Sequence, residues 1–252
     1  MIGSPTFLAH CQGEFCCLTD RYSTNRPDSV PSRHFVTASY DGYVRMFDYS
    51  QNAVFAGGVH DAPVTSLSVD PTSISEDKNL MIATASHDLT GRLVRVSLEP
   101  DTGERTSSIL ASLHLHTSPL SDIAYSRSGE YLLTASWDTL IGLWDSNIPE
   151  EDEVDVVEVQ TDRRKRRKVN GRDRELRPKR KTPSSVLKSH TARVSKAAFS
   201  STGKSAFSCG FDSTVRSWDV ENGVCINTIV RHPLFLETRN SPFRSFLFHQ
   251  QS

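Results

Sequence analysis

A short run of residues that ends in Trp-Asp recurs along the chain, and its recurrence limits the possible folds more than any other feature. Residues 134–145 read TASWDTLIGLWD, which is two short runs of apolar and small residues around a polar turn. Residues 39–48 and 209–219 have the same form, and residues 86–94 are a weaker copy. Alternation at a period of two around a tight turn predicts pairs of short antiparallel strands.

The spacing of marker residues within these runs is regular. Six residues after an Asp comes a large apolar side chain, in the pairs Asp41 and Phe47, Asp88 and Val94, Asp138 and Trp144, and Asp212 and Trp218. A His lies 22 residues before two of these Asp residues, at His116 and His190, and 28 before a third, at His60. A unit of roughly 40–45 residues with these markers resembles the WD repeat, four strands of one β-propeller blade. We therefore expect an all-β, WD-repeat β-propeller that is incomplete, with about four of seven blades.

The marker residues have a structural interpretation. In WD repeats the loop His, a strand Ser or Thr, the turn Asp and the strand Trp form a hydrogen-bonded tetrad. The resemblance predicts structural tetrads here from His116, Ser136, Asp138 and Trp144; from His190, Asp212 and Trp218, with Gly210 in place of the serine and an incomplete network; and from His60, Ser86 and Asp88. A Ser/His/Asp set also resembles a hydrolase triad, but an enzyme needs one site, whereas a repeated array needs one tetrad per unit.

Composition excludes several classes of protein. The 252 residues are 37% hydrophobic, which is enough for a sizeable core, and no run approaches the length of a membrane span. The N-terminus does not resemble a secretory signal. The five cysteines are odd in number and lack the paired spacing of a zinc site, which favours a reducing, intracellular compartment. His10 with Cys11, Cys16 and Cys17 leaves a metal site open as an alternative to incidental thiols. The sequence contains no phosphate loop, zinc motif or nucleophile motif, so we expect no cofactor, no metal and no catalytic residue.

The repeats divide the chain into five segments. We expect an irregular leader over residues 1–33, three blade units with the first partial over 34–149, a disordered insertion over 150–184, a further blade over 185–229, and a tail unlike a blade over 230–252. The insertion begins acidic and becomes strongly basic: residues 163–181 hold twelve Lys or Arg and two acidic residues, a formal charge of +10 in a chain of net charge −1. Such a segment cannot bury apolar area and is expected to lie on the rim of the propeller.

Three interpretations of the basic run remain open. It resembles a bipartite nuclear localisation signal, it has the charge to contact RNA phosphates without sequence preference, and it is also compatible with a role in solubility alone. Residues 163–181 contain no aromatic side chain, so base stacking is not expected there. The candidate residues for import or phosphate contact are Arg163, Arg164, Lys165, Arg166, Arg167, Lys168, Lys179, Arg180 and Lys181.

The blade order and the position of the insertion resemble one family in particular. Residues 38–42, 136–144 and 185–190 are similar to the WD-repeat subunit of the pescadillo–block-of-proliferation (PeBoW) complex, and the similarity covers residues 34–229. The resemblance implies a non-enzymatic scaffold in nucleolar assembly of the large (60S) ribosomal subunit, supporting pre-rRNA processing. The implied partners are a block-of-proliferation-type WD protein, a pescadillo-type protein and the large-subunit pre-ribosome, in the nucleus, nucleolus and nucleoplasm.

The chain departs from that family at both ends. Members carry a ubiquitin-like domain that engages a midasin-type AAA ATPase, and residues 1–33 are too short and irregular for such a domain, so we do not expect this contact. The pattern of units also predicts a chain truncated at both ends, with two exposed sheet faces, so we expect the isolated chain to be poorly soluble or to need a partner. The alternative function is a WD-repeat adaptor of another nuclear complex, either a ubiquitin ligase or a chromatin assembly.

Overall fold

The computed structural model describes residues 8–11, 14–19, 34–48, 53–73, 79–98, 105–149 and 178–230. These residues form strands joined by turns, and no helix among them has the length and apolar character needed to cross a membrane. In chain order the strands are β1 (Leu8–Cys11), β2 (Glu14–Thr19), β3 (His34–Ser39), β4 (Tyr43–Asp48), β5 (Ala53–Gly58), β6 (Val64–Val69), β7 (Asn79–Ser86), β8 (Gly91–Leu98), β9 (Arg105–Leu113), β10 (Leu120–Tyr125), β11 (Tyr131–Ser136), β12 (Leu140–Asp145), β13 (Lys179–Lys181), β14 (Ser185–Lys188), β15 (Val194–Phe199), β16 (Ser205–Gly210), β17 (Thr214–Asp219) and β18 (Val224–Val230).

The strands form four sheets that follow one another along the chain. Their orders are β1-β2-β3-β4-β5, β13-β9-β8-β7-β6, β10-β11-β12-β14 and β15-β16-β17-β18. Within a sheet, strands consecutive in sequence are antiparallel neighbours, as in a propeller blade. The prediction of an all-β, incomplete WD propeller is confirmed.

One turn has the same backbone in all four sheets. The residue after the marker Asp has a positive φ in each case, at Gly42 (82°), Leu89 (71°), Thr139 (75°) and Ser213 (61°). The left-handed conformation normally favours glycine, yet only one of the four is glycine. In each turn the Asp carboxylate accepts the N–H two residues on, for example that of Leu140 at 3.0 Å from Asp138 Oδ1, and this bond holds the turn. The repeated Asp therefore stabilises the turn in each of the four sheets.

The core lies between successive sheets. In the third sheet the face made by Leu133, Ile141 and Leu143 is buried against the fourth, where Ala206 and Trp218 cover it. Phe207 of the fourth sheet occupies the position of Leu133, and it is 43% exposed, whereas Leu133 is fully buried. This face of a sheet is thus buried only where another sheet follows it in the chain.

A single carboxylate joins three sheets near their first strands. Asp122 on β10 accepts a hydrogen bond from Ser66 Oγ on β6 at 2.7 Å. It also accepts bonds from Lys196 Nζ at 2.9 Å and from the Ala197 N–H at 3.2 Å, both on β15. A β-bulge between Leu120 and Asp122 interrupts the ladder at this point.

The structure corrects two of the predicted segment boundaries. The range 1–33, expected to be irregular, contains β1 and β2, and β2 pairs antiparallel with β3 as the first full-length strand of its sheet. The equivalent strands β6, β10 and β15 carry none of the His, Asp or Trp markers, which is why the pattern did not reveal β2. The range 150–184, expected to be disordered, contains β13, which adds a fifth strand to the second sheet. Residues 150–177 and the tail over 231–252 lie outside the described residues.

Candidate functional site

The third sheet contains a complete tetrad, but its hydroxyl comes from Thr134 and not from the predicted Ser136. His116 Nδ1 lies 3.0 Å from Asp138 Oδ2, and His116 Nε2 lies 2.8 Å from Thr134 Oγ1. The indole N–H of Trp144 donates to the same Thr134 oxygen over 2.9 Å. The prediction of this tetrad is therefore corrected in one member.

Strand geometry explains why the threonine is the member. Thr134 and Ser136 are two positions apart on β11 and so share a face of the sheet. Thr134 pairs with Gly142, whose missing side chain leaves room for the indole of Trp144, while Ser136 lies at the end of the strand. Ser136 Oγ instead donates to the carbonyls of Ser118 and Pro119 at 3.0 Å and accepts the N–H of Asp138, so it fastens the turn to the preceding loop.

The fourth sheet has the same tetrad in full, contrary to the expectation of an incomplete network. His190 Nδ1 lies 2.8 Å from Asp212 Oδ2, and Ser208 Oγ lies 2.7 Å from His190 Nε2. Trp218 donates its indole N–H to Ser208 Oγ over 2.8 Å. Gly210, taken as the gap in the network, occupies the position of Ser136 and so is outside the tetrad.

The second sheet has three of the four members. His60 Nδ1 lies 2.7 Å from Asp88 Oδ2 and His60 Nε2 lies 2.8 Å from Thr84 Oγ1, while Val94 stands in the tryptophan position. Ser86, predicted as a member, donates to the carbonyl of Pro63 at 2.9 Å, as Ser136 does to Pro119. Its assignment is corrected in the same way.

The first sheet has the same turn geometry, but its described side chains do not form a tetrad. Asp41 forms an ion pair with Arg45, and Phe47 replaces the tryptophan. Thr37, which occupies the position of Thr134, is buried, and its hydroxyl has no hydrogen-bond partner among the described residues.

Burial disfavours the protonated form of two of the buried imidazoles. Burial lowers the pKa of His60 and of His190 below the usual 6.5, against the opposing attraction of their Asp partners. Burial tends to raise the pKa of Asp88 and Asp212, but hydrogen bonds, among them those from the partner histidines, outweigh it and lower both values to about 2. In each of these two pairs a neutral imidazole thus donates a hydrogen bond from Nδ1–H to the Asp carboxylate.

The hydroxyl groups of the tetrads are not accessible to a substrate. The Thr134 hydroxyl, which faces His116 as a nucleophile would face its base, is completely buried and already accepts the indole N–H. Among the described side chains, no three His, Cys, Asp or Glu residues are grouped so that they could hold a metal ion. The side chains of His10, Cys11, Cys16 and Cys17 lie outside the described residues.

A row of aromatic rings, missed in the sequence, lies where the four marker turns meet the surface. The residue before each marker Asp is Tyr40, His87, Trp137 or Phe211. We call these four residues the turn rim. The rings of His87 and Trp137 lie 5.4 Å apart, and the guanidinium of Arg193 lies 4.5 Å from the centre of the Trp137 ring. Tyr40 is 54% exposed and Phe211 is 73% exposed. The signal for this row was the aromatic or imidazole ring that recurs at one position of the repeat.

The structure places three of the nine predicted basic residues. Lys179, Arg180 and Lys181 form β13, while residues 163–168 lie outside the described residues. The Lys181 side chain is 2% exposed and its Nζ lies 2.5 Å from Asp145 Oδ1. This corrects its assignment, because an ammonium group that is buried against a carboxylate is not available to a receptor or a phosphate.

Comparison with known proteins gives a consistent result. The model of the WD domain, G-beta repeat, matches residues 107–145 and 181–219. The chain is similar to the ribosome biogenesis protein YTM1 of Laccaria bicolor (50% identical over 200 residues, 78% of this chain and 44% of the relative) and of Coprinopsis cinerea (45% over 207 residues, 80% and 45%). It is also similar to that of Saccharomyces cerevisiae (32% over 221 residues, 78% and 46%). The chain spans about half the length of these curated relatives.

Proposed function

The chain belongs to the WD-repeat ribosome biogenesis proteins of the YTM1, PeBoW type, and on this premise we propose that it is a non-enzymatic scaffold in assembly of the large (60S) ribosomal subunit. In this role it supports pre-rRNA processing by docking a block-of-proliferation-type WD protein, together with a pescadillo-type protein and the pre-ribosome. It acts in the nucleolus and nucleoplasm.

The turn rim is the observation that carries the docking role. Aromatic and arginine side chains are enriched at protein interfaces. The aromatic rings bury large areas at low entropic cost because few torsions are fixed on binding. Here four sheets present a ring at the same position, and Arg193 stacks on the Trp137 ring of the neighbouring sheet. Phe211 and Tyr40 expose apolar surface at either end of this row.

A scaffold also agrees with where the reactive groups lie. Three His–Asp pairs recur in successive sheets, and in each the hydroxyl facing the imidazole is buried. An identical buried group in three successive units serves the fold of each unit, whereas chemistry on a substrate requires an accessible site.

Alanine substitution on the rim tests the docking role. We expect Phe211→Ala and Tyr40→Ala each to weaken capture of the block-of-proliferation-type partner by about tenfold or more, as for residues central to an interface. The matched control is Tyr131→Ala, since Tyr131 is 40% exposed at the far end of β11. Equal capture by both rim variants and the control, with unchanged unfolding curves, contradicts the assignment of the rim.

The basic insertion supports the proposed location. Its charge and cluster spacing match a bipartite nuclear localisation signal. A fluorescent reporter fused to residues 150–184 should accumulate in the nucleus, and a reporter with residues 163–168 changed to alanine should not. Cytoplasmic retention of the unaltered fusion would remove the import role.

A further inference from the structure

We infer that Lys179–Lys181 occupies an intramolecular docking site on the outer edge of the second sheet, and that this docking withholds these three residues from import receptors and phosphates. The masking rests on the proposed nuclear import. The docking concerns the fold alone and is tested separately.

The backbone of β13 is bound as an added strand. It runs parallel to β9 in the register Lys179 with Ala111, Arg180 with Ser112 and Lys181 with Leu113. The N–H of His114 donates to the carbonyl of Lys181 over 3.1 Å and continues the pairing past the end of β9. All other ladders among the described strands are antiparallel, so β13 is foreign to the blade pattern. This is the geometry by which an extended peptide binds the open edge of a sheet.

The side chain of Lys181 occupies a buried site that provides a carboxylate and a carbonyl oxygen as partners. Its ammonium group lies 2.5 Å from Asp145 Oδ1 and 2.6 Å from the carbonyl oxygen of Asn147. The lysine is almost completely buried, while the carboxyl group of Asp145 is 41% exposed. A buried ammonium is stable only when a charge and hydrogen-bond acceptors replace its water. Asp145 and Asn147 supply both.

The same contacts hold the two ends of the insertion together. Asn147 lies where the chain leaves β12 and Lys181 lies where it returns, 34 positions later. Beside them the Ser184 N–H donates to the Leu143 carbonyl over 2.8 Å, and the Asp145 N–H donates to Ser184 Oγ over 3.2 Å. The exit and the return therefore share one point on the edge of the propeller, whatever path the intervening residues take.

Docking conflicts with recognition of the same three residues. An import receptor or a phosphate chain requires basic side chains that are accessible on an extended backbone, whereas here one edge of the backbone is paired with β9 and the Lys181 ammonium is enclosed. Recognition of the folded protein thus depends on the earlier basic residues, 163–168.

Hydrogen exchange of the full chain tests the docking. Asp145→Ala leaves the Lys181 ammonium buried without its carboxylate, so we expect exchange at residues 179–181 to accelerate by about tenfold or more. Lys181→Met keeps the bulk and removes the charge, and should accelerate exchange less. The control is Asp219→Ala, at the equivalent position of the fourth sheet, where the carboxylate accepts hydrogen bonds from Glu221 and Asn222 and from no other described residue. Unaltered exchange at β13 in Asp145→Ala overturns the docking.

Binding to an import receptor for bipartite basic signals tests the masking. In a peptide of residues 150–184, the double change Lys179→Ala and Arg180→Ala should weaken binding by about tenfold, while the full chain should change less than about twofold. Alanines at residues 163–168 should weaken both. Equal losses in the peptide and the full chain overturn the masking. Absence of receptor binding by either form removes the import role itself, and the exchange experiment still decides the docking.

Discussion

Trp144 donates its indole N–H to Thr134 Oγ1 over 2.9 Å, and the same hydroxyl lies 2.8 Å from His116 Nε2. A hydroxyl oxygen can accept two hydrogen bonds, so the bond from the indole does not by itself set the direction of the bond to the histidine. Among the described residues His116 Nε2 is the one remaining partner of the Thr134 hydroxyl, so we assign the hydroxyl proton to that bond. His116 then donates its Nδ1–H to Asp138, and the tetrad is a chain of three hydrogen bonds that all run the same way.

Removing the hydroxyl of Thr134, which has two hydrogen-bond partners, should destabilise the protein. Thr134→Val keeps the shape of the side chain and leaves the Trp144 N–H and His116 Nε2 without partners. We expect the free energy of unfolding to fall by about 1–3 kcal/mol, measured by urea titration.

The same substitution should act in the opposite direction in the first sheet. Thr37 is equivalent to Thr134, but its buried hydroxyl has no partner among the described residues. Thr37→Val removes an unsatisfied polar group, so we expect the free energy of unfolding to rise by about 1 kcal/mol. A loss of stability in Thr37→Val as large as that in Thr134→Val would show that position in the sheet, and not hydrogen bonding, sets the effect.

Gly142 is required by the indole beside it. A Cβ atom at this position would lie 2.6 Å from Trp144 Nε1 and 2.7 Å from Thr134 Oγ1. Gly142→Ala should therefore displace the indole, lower the free energy of unfolding by about 1–3 kcal/mol and shift tryptophan fluorescence.

Gly203 provides a contrast to Gly142. A Cβ atom there meets nothing within 4 Å, but the φ of 74° is unfavourable for alanine. Gly203→Ala should cost about 1–2 kcal/mol and leave the fluorescence unchanged. The interpretation fails if both variants alter the fluorescence alike.

Stability should fall as the pH is lowered, in two steps. The pKa values of His60 and His190 are lowered in the folded chain, so the unfolded chain binds more protons once the pH falls through 6.5; their contribution is present above 6.5 and is lost below it. Asp88 and Asp212, with pKa values of about 2 against 3.8 unfolded, contribute above 3.8 and lose that contribution as the pH falls towards 2. Thermal unfolding from pH 8 to about pH 2 covers both steps. His190→Gln should reduce the first step, and a rise in stability between pH 7 and pH 5.5 is the contrary result.

Asp122, which joins three sheets, should contribute more to stability than Lys196, its half-exposed partner. Asp122→Ala leaves the Ser66 hydroxyl and the Ala197 N–H without their acceptor, and we expect a loss of about 2–4 kcal/mol. Lys196→Ala removes a side chain that is half exposed, so the loss should stay below about 1 kcal/mol. Similar losses in the two urea titrations would count against the role of Asp122.

The sequence identified the parts of the site that recur with fixed spacing. His116 and Asp138, 22 positions apart, were paired correctly, because the loop and the turn that hold them have constant length within the repeat. The hydroxyl was misassigned, because Thr134 and Ser136 share a strand face and only the packing of the indole against Gly142 distinguishes them. The docking of β13 had no signal, because its residues read as a charged loop until Asp145 is placed beside Lys181.

The shared anchor of Asn147 and Lys181 separates the insertion mechanically from the propeller. Residues between Asn147 and β13 can be gained, lost or exchanged without displacing β12 or β14, because the contacts of Asn147 and Lys181 hold both ends of the insertion in place. That stretch can therefore vary in sequence, or accept a grafted peptide, with little disturbance to the blades.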